Sequence, residues 1–216
     1  MIFGGVHQSL SLFIQRYYHM QTLFSDPGSL NYTTEKIRSL DRSEFSVSRL
    51  VPLLKKRVLP KGHILIQEGK IERSLFFLEK GVARAFCTQE DREVTFWFGS
   101  EGDILLSLNS YFAGQPGYES IELLEKSVVY EIAHATLNEL YQSDIDLANW
   151  GRKLAESEFM KADQRFISRQ FKSAAERYHE FAGTYPDLMK RISLGHIASY
   201  LGVSQVTLSR IRSERK

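Results

Sequence analysis

Residues 192–212 read ISLGHIASYLGVSQVTLSRIR, two short stretches of helical apolar spacing divided by a glycine. Ile197, Leu201, Val203, Leu208 and Ile211 recur where side chains can close a small core between two helices. Helices that cross steeply need a small residue at the contact and a sharp connection. Ala198 supplies the first and Gly202 the second, because glycine enters the left-handed region at no steric cost. Ser204 is placed to N-cap the second helix by accepting from the amide of Val206 or Thr207, although Thr207 is not the Glu or Gln that completes a capping box. Gln205, Val206, Ser209 and Arg210 point to the other face, free to meet a DNA major groove. The pattern is that of a DNA-binding helix-turn-helix, with a plain helical hairpin packed on a domain as the alternative.

Charge gathers at the same end. From Met189 onward stand Lys190, Arg191, Arg210, Arg212, Arg215 and Lys216 against Glu214 alone. That is a formal +5 in a chain whose total is +2, so the remainder sums to −3. Such a patch suits phosphate contacts, as it would a solvated basic tail.

With 216 residues and 43% hydrophobic content, the chain can bury one good core or two modest ones, and two domains are expected. The single cysteine, Cys87, excludes an intrachain disulfide framework and a four-thiolate cluster, and fits a reducing compartment. No apolar run approaches the roughly 20 residues that span a bilayer, and the start lacks a secretion-signal pattern. The expectation is a soluble, cytoplasmic protein with no membrane partner.

Residues 1–40 make a leader that pattern places poorly. Within it, residues 9–20 fit an amphipathic helix that Asp26, Pro27 and Gly28 break, and Met20 is an alternative start. A helical period at residues 41–56 has Phe45, Val47, Leu50, Leu53 and Leu54 on its apolar side. Between Val58 and Ile132 the texture changes to short apolar runs (HILIQ, SLFFLE, VARAFCT, EVTFWF, SIELL, SVVYEI) divided by turn residues. That is the rhythm of an all-β roll, assigned to residues 41–142. Only residues 105–118 leave room for a short helix and loop, where a roll would hold a ligand.

From Ile145 to about Phe171 the helical period returns. Leu147, Trp150, Leu154 and Phe159 form an apolar stripe, with Ala148, Gly151, Ala155 and Ala162 as small neighbours. A helix this long has little of a small β domain left to cover. Residues 143–171 are therefore expected to pair with the same helix of a second chain in a two-fold homodimer, with packing against the roll alone as the alternative. A further helix near residues 174–182 ends at Gly183, and Pro186 precedes the final helices of a terminal unit spanning residues 172–216.

In this order the chain resembles the Crp/Fnr family of bacterial transcription regulators over about residues 45–216. LPKGHILIQEGKIERSLFFLEKGVARAF (59–86) is similar to that family's opening strands with their glycine turns, and LGVSQVTLSRIR (201–212) to its terminal helices. The resemblance implies an α+β fold with three parts. These are an N-terminal β-roll of the cyclic-nucleotide-binding type (a double-stranded β-helix, jelly-roll-like), a long dimerisation helix carrying Leu147, Trp150, Leu154, Phe159 and Ala162, and a C-terminal winged-helix/helix-turn-helix domain. It implies a homodimer on palindromic double-stranded DNA, with the last helices in successive major grooves. Gln205, Val206, Ser209 and Arg210 take the base-reading positions, Arg210 suited to guanine and Gln205 to adenine. Lys190, Arg191, Ser204, Thr207 and Arg212 take phosphate. Val206 departs from cyclic AMP receptor-like members, which carry a glutamate there, so the operator should differ from theirs. Activation would add RNA polymerase as a partner, through a patch that a single sequence does not expose.

The roll departs further. Cyclic-nucleotide-binding members follow the Gly-Asp corner with Gly-Glu and hold the cyclic phosphate with an arginine. Here Leu106 and Ser107 stand at the first place, the arginine falls near Gly117 to Glu119, and no Lys or Arg occurs between Ile104 and Glu125. A buried phosphate without a cation is strongly disfavoured, and Glu119 and Glu122 would add repulsion if they face inward. Tight binding of cyclic AMP is not expected, and no cofactor is. Ser107, Asn109, Ser110, Gln115, Tyr118 and Ser120 remain as polar candidates for another effector.

Rival classes are weaker. The six histidines are scattered, without the close spacing a metal enzyme needs, and no nucleophile elbow or phosphate loop is present. An enzyme is not expected. A β-roll that binds an effector or another protein without reading DNA is the remaining alternative.

Overall fold

A computed structural model describes residues 30–41, 44–90 and 92–213 of the chain. The helix expected at residues 9–20, the alternative start Met20, and the terminal Glu214, Arg215 and Lys216 lie outside the described residues.

Eight strands stand among the described residues: β1 (Lys55–Leu59), β2 (Ile64–Ile66), β3 (Ser74–Lys80), β4 (Ala83–Gln89), β5 (Arg92–Gly99), β6 (Ile104–Leu105), β7 (Ser120–Leu123) and β8 (Ser127–Ala133). They make two antiparallel four-stranded sheets, ordered β1-β8-β3-β6 and β2-β7-β4-β5. β3 shows why the roll closes. Phe76 and Leu78 point between the sheets with Ala85, Ile121 and Val129, while Leu75 and Phe77 point out into a second cluster with Ile37, Leu137 and Trp150. Both faces are covered, so residues 75–78 form an unbroken apolar run instead of alternating.

The helices are α1 (Asn31–Asp41), α2 (Glu44–Leu50), α3 (Leu108–Ala113), α4 (His134–Ser143), α5 (Ile145–Phe171), α6 (Ala174–Thr184), α7 (Leu188–Arg191), α8 (Leu194–Leu201) and α9 (Gln205–Ser213). The helix expected at 41–56 is cut short. α2 passes into a 3-10 turn at Val51–Leu53, and β1 already runs from Lys55. Pro52 lacks the N–H a continuing helix needs and disfavours helical backbone before it. Phe45 and Leu53 accordingly are 41% and 40% exposed, and only Leu50 of that expected face is fully buried. α1, in the stretch the sequence left unplaced, packs on β3 and α5 with Ile37 wholly buried.

α5 starts at Asp144, whose Oδ1 accepts from the amides of Asp146 (3.0 Å) and Leu147 (3.2 Å). Its apolar side is not one dimer stripe. Leu147, Trp150 and Leu154 are buried in the chain's own core, and Trp150 Nε1 donates to the Ile37 carbonyl at 3.1 Å. Gly151 lets α4 approach, since a Cβ there would come within 2.7 Å of the Tyr141 ring. Phe159, 70% exposed, belongs instead with Met160, Phe166, Ile167 and Phe171, all exposed along the second half; Ala162 beside them is half-buried. The sequence reading merged two faces because the core stripe and the exposed stripe follow each other along one helix with little change of spacing.

After α5, Ser173 and Glu176 form a reciprocal capping box at α6. Ser193 caps α8, and Gly202 ends it in the left-handed region at φ 67°, ψ 34°. No strand follows Ala133 among the described residues, so the wing that the resemblance implied is not found there. The terminal helices share one cluster, in which Tyr178, Phe181, Leu188, Ile192, Ile197, Leu201, Leu208 and Ile211 pack with Val82 and Leu124 of the roll.

Candidate functional site

α9 divides sharply by burial. Leu208 and Ile211 are 1% and 7% exposed, held against α8, whereas Gln205, Val206, Ser209, Arg210 and Arg212 are exposed. At its start Ser204 Oγ accepts from the Thr207 amide at 3.1 Å and lies 3.0 Å from Thr207 Oγ1, so two exposed hydroxyls sit at the positive end of the helix. The cap therefore forms through Thr207, one of the two partners expected. Lys190 is exposed and pairs with Asp187 at 2.8 Å, a surface pair of little strength.

Arg191 is a correction. Expected at phosphate, it is instead folded onto the roll. Its Nη1 and Nη2 donate to Glu101 at 2.9 and 2.7 Å, and Nη2 also reaches Glu125 Oε1 at 2.6 Å. The hydrogen bonds to Glu101 raise the Arg191 pKa further above its ordinary value, against the cost of burial, with Glu125 adding to them. Burial works against the charge on Glu101, but the Arg191 guanidinium and the Gly81 N–H outweigh it and hold that carboxyl below its ordinary value. Nothing in the sequence near Arg191 marks Glu101 and Glu125 as partners, since they lie 90 and 66 residues away.

A second clamp joins α8 to β5. Ser199 Oγ accepts from the Thr95 amide and hydroxyl, both at 3.0 Å, and donates to the Glu93 carbonyl at 2.7 Å. Arg177 Nη2 and Arg169 Nη2 donate to the Leu201 and Tyr200 carbonyls, at 2.7 and 3.4 Å, satisfying the C-terminal end of α8.

In the roll, three of the six polar candidates are taken up by loop backbone. Ser110 Oγ accepts from the Glu72 amide (2.6 Å), Ser120 Oγ from the Glu68 amide (3.0 Å), and Asn109 Nδ2 donates to the Pro116 carbonyl (2.7 Å). Tyr118 is 56% exposed and meets Phe96 edge-on, and Gln115 is exposed. Ser107 differs. It is wholly buried and faces the Glu119 carboxyl, whose Oε2 is likewise buried. Glu119 is 4% exposed. Its burial, with Glu68 nearby, pushes its carboxyl above the ordinary value. Glu122 turns outward to Arg84, whose Nη2 donates to it at 2.8 Å. Arg84 is a buried cation that pattern reading missed. It is 2% exposed, pairs also with Glu93, and lies 4.1 Å over the Phe86 ring. Burial and Glu68 push the Cys87 thiol up, away from the reactive thiolate.

Among the described residues no group of three or more His, Cys, Asp or Glu side chains is gathered to hold a metal ion. No helix among them is long and apolar enough to cross a membrane.

Residues 56–144 match the cyclic nucleotide-binding domain family. No curated protein matches the chain by sequence. Solved structures share the fold. The c-di-GMP responsive global regulator CLP of Xanthomonas campestris superposes with a TM-score of 0.63 at 14% identity, over 80% of this chain and 91% of its own. FixK2 of Bradyrhizobium japonicum does so with 0.62 at 19% identity, over 74% and 83%. A Eubacterium rectale protein assigned to the Crp/Fnr family of transcriptional regulators gives 0.60 at 18%, over 84% and 82%. Residues 56–144 are thus a domain of the cyclic nucleotide-binding type. More particularly, the β-roll and the long helix together share the fold of these solved regulators.

Proposed function

We propose that this protein is a homodimeric, sequence-specific DNA-binding regulator of Crp/Fnr type whose roll does not bind cyclic AMP tightly. One observation carries the reading. The apolar side of α9 is spent on α8, while Gln205, Val206, Ser209 and Arg210 share its exposed side. A short helix buried on one side and lined on the other by a guanidinium, an amide and small residues fits a major groove. Ser204, Thr207, Arg212 and Lys190 flank it for phosphate contact. α8 and α9, joined at Gly202, form the helix-turn-helix of a unit spanning residues 172–216.

The exposed side of α5 favours the dimer. Phe159 and Phe166, like Met160 and Ile167, stand seven residues apart, the spacing of a helix seam, and Phe171 extends it. An isologous pairing of residues 143–171 would cover these side chains. Residues 41–142 act as the sensor. Its interior opposes a cyclic phosphate, because the stretch from Gly117 to Glu119, near which the family's arginine falls, offers no cation and buries the Glu119 carboxyl.

The test is selection of bound fragments from random and genomic DNA by the purified protein at fixed salt, with and without cyclic AMP. An enriched palindrome indifferent to the nucleotide is the expected result. Enrichment only with cyclic AMP would overturn the view of the roll. No enrichment together with loss of salt-dependent binding would favour a protein-interaction role.

A further inference from the structure

A cleft of about 190 Å3 opens where the roll, the long helix and the terminal unit meet. Its wall is aromatic. Phe98 of β5, Phe181 of α6 and Tyr200 of α8 pack ring against ring, with centroids 5.2 to 5.8 Å apart. The acids on its rim are already engaged. Asp103 and Glu158 lie 2.9 and 3.1 Å from Lys161, and Glu180 takes Lys172 at 2.6 Å and Ser168 at 2.7 Å. Two cationic groups are not. Arg177 spends its terminal nitrogens on the Lys172 and Leu201 carbonyls, but its Nε is buried without a partner. Arg165 lines the cleft half-buried, with neither a hydrogen bond nor an ion pair among the described residues. A half-buried guanidinium beside a cluster of aromatic rings, with the neighbouring carboxylates already paired, is matched by an anion on a planar apolar body.

We propose that this cleft, and not the interior of the roll, is an effector site for a small aromatic acid. The ring lies on the Phe98, Phe181 and Tyr200 wall and the carboxylate on Arg165. Its regulatory meaning rests on the DNA-binding function proposed above. The ligand touches β5, α5, α6 and α8 together, so its affinity depends on where the terminal helices sit against the roll. By linkage, its binding shifts that arrangement and the DNA affinity with it.

Calorimetry on the full chain without DNA tests the site, using indole-3-acetate and benzoate as probes and indole-3-acetamide as the uncharged control. Saturable binding of at least one acid is expected, weakened about tenfold or more by Arg165→Gln and by loss of the charge in the amide, with thermal melting of the variant unchanged. Failure of both acids to bind, equal affinity in Arg165→Gln, or equal affinity for the amide would overturn the site. Operator affinity is then measured with and without the bound acid. A change of threefold or more supports the coupling, and no change with calorimetric binding intact overturns it. If the protein bound no DNA at all, the calorimetric result would stand by itself, so the two failures are distinguishable.

Discussion

Arg191 of the terminal unit grips Glu101 of the roll through both terminal nitrogens, at 2.9 and 2.7 Å, and with its contact to Glu125 joins apolar packing and the Ser199 hydroxyl in holding the junction. Charge-assisted hydrogen bonds in a partly solvated place of this kind contribute about 1 to 2 kcal/mol. Arg191→Ala should therefore lower urea stability by about that amount near neutral pH. Glu101 is held below its ordinary value, so its contribution is full at neutral pH and is lost as pH falls through its folded value. The gap between wild type and Arg191→Ala should close on acidification. The same variant should leave the salt dependence of DNA binding unchanged, whereas a lost phosphate contact would reduce the slope by about 0.9.

Glu119 carries the opposite sign. Its pKa is raised, so the stability it permits is complete below the ordinary carboxyl value and falls as pH rises through the folded value. Glu119→Gln keeps the shape and removes the charge, and should stabilise the protein by about 1 kcal/mol at pH 7.5. The gain should vanish toward pH 4. A thermal-melting series showing a constant difference across that range would contradict this account of the buried carboxyl.

Arg210 is exposed on the side of α9 opposite Leu208 and Ile211. Arg210→Ala should cost about 1 to 3 kcal/mol on the selected operator and relax preference at one base pair. Equal weakening on every sequence would make it a phosphate contact.

The two stretches of α5 should respond to mutation in different ways. Phe159→Ser with Phe166→Ser should shift sedimentation toward the monomer while leaving the fold of the roll intact, because both rings are exposed in the single chain, at 70% and 64%. Trp150→Ala should instead cost about 3 to 5 kcal/mol of stability, since the indole is wholly buried and its N–H holds the Ile37 carbonyl.

Local signals were read well from the sequence. The six strand runs fall within a residue or two of β2 to β5, β7 and β8, while β1 and the two-residue β6 had no run of their own, and Gly202 and Ser204 end and start their helices as turn and cap chemistry requires. α5 spans the residues its periodicity marked. What failed depended on distance along the chain. Periodicity says that Leu147, Trp150 and Leu154 need a partner surface but not that Ile37, more than 100 residues earlier, provides it. Charge counting placed Arg191 in a basic patch because Glu101 and Glu125 are close only after folding. Arg84 drew no notice within its strand run, and its burial follows from Glu93 and Glu122 on the two strands flanking β4.

Trp150 anchors the first half of α5 in the cluster on the outer face of β3, while Phe166, about 24 Å further along the same unbroken helix at 1.5 Å per residue, lies outside it. The helix is thus a rod with one end set into the chain's own core and an apolar side of the other left bare. A small tilt at the embedded end becomes a larger sideways travel at the bare end, so a slight repacking around Ile37 and Trp150 would be magnified into a change in the spacing of whatever the far ends carry.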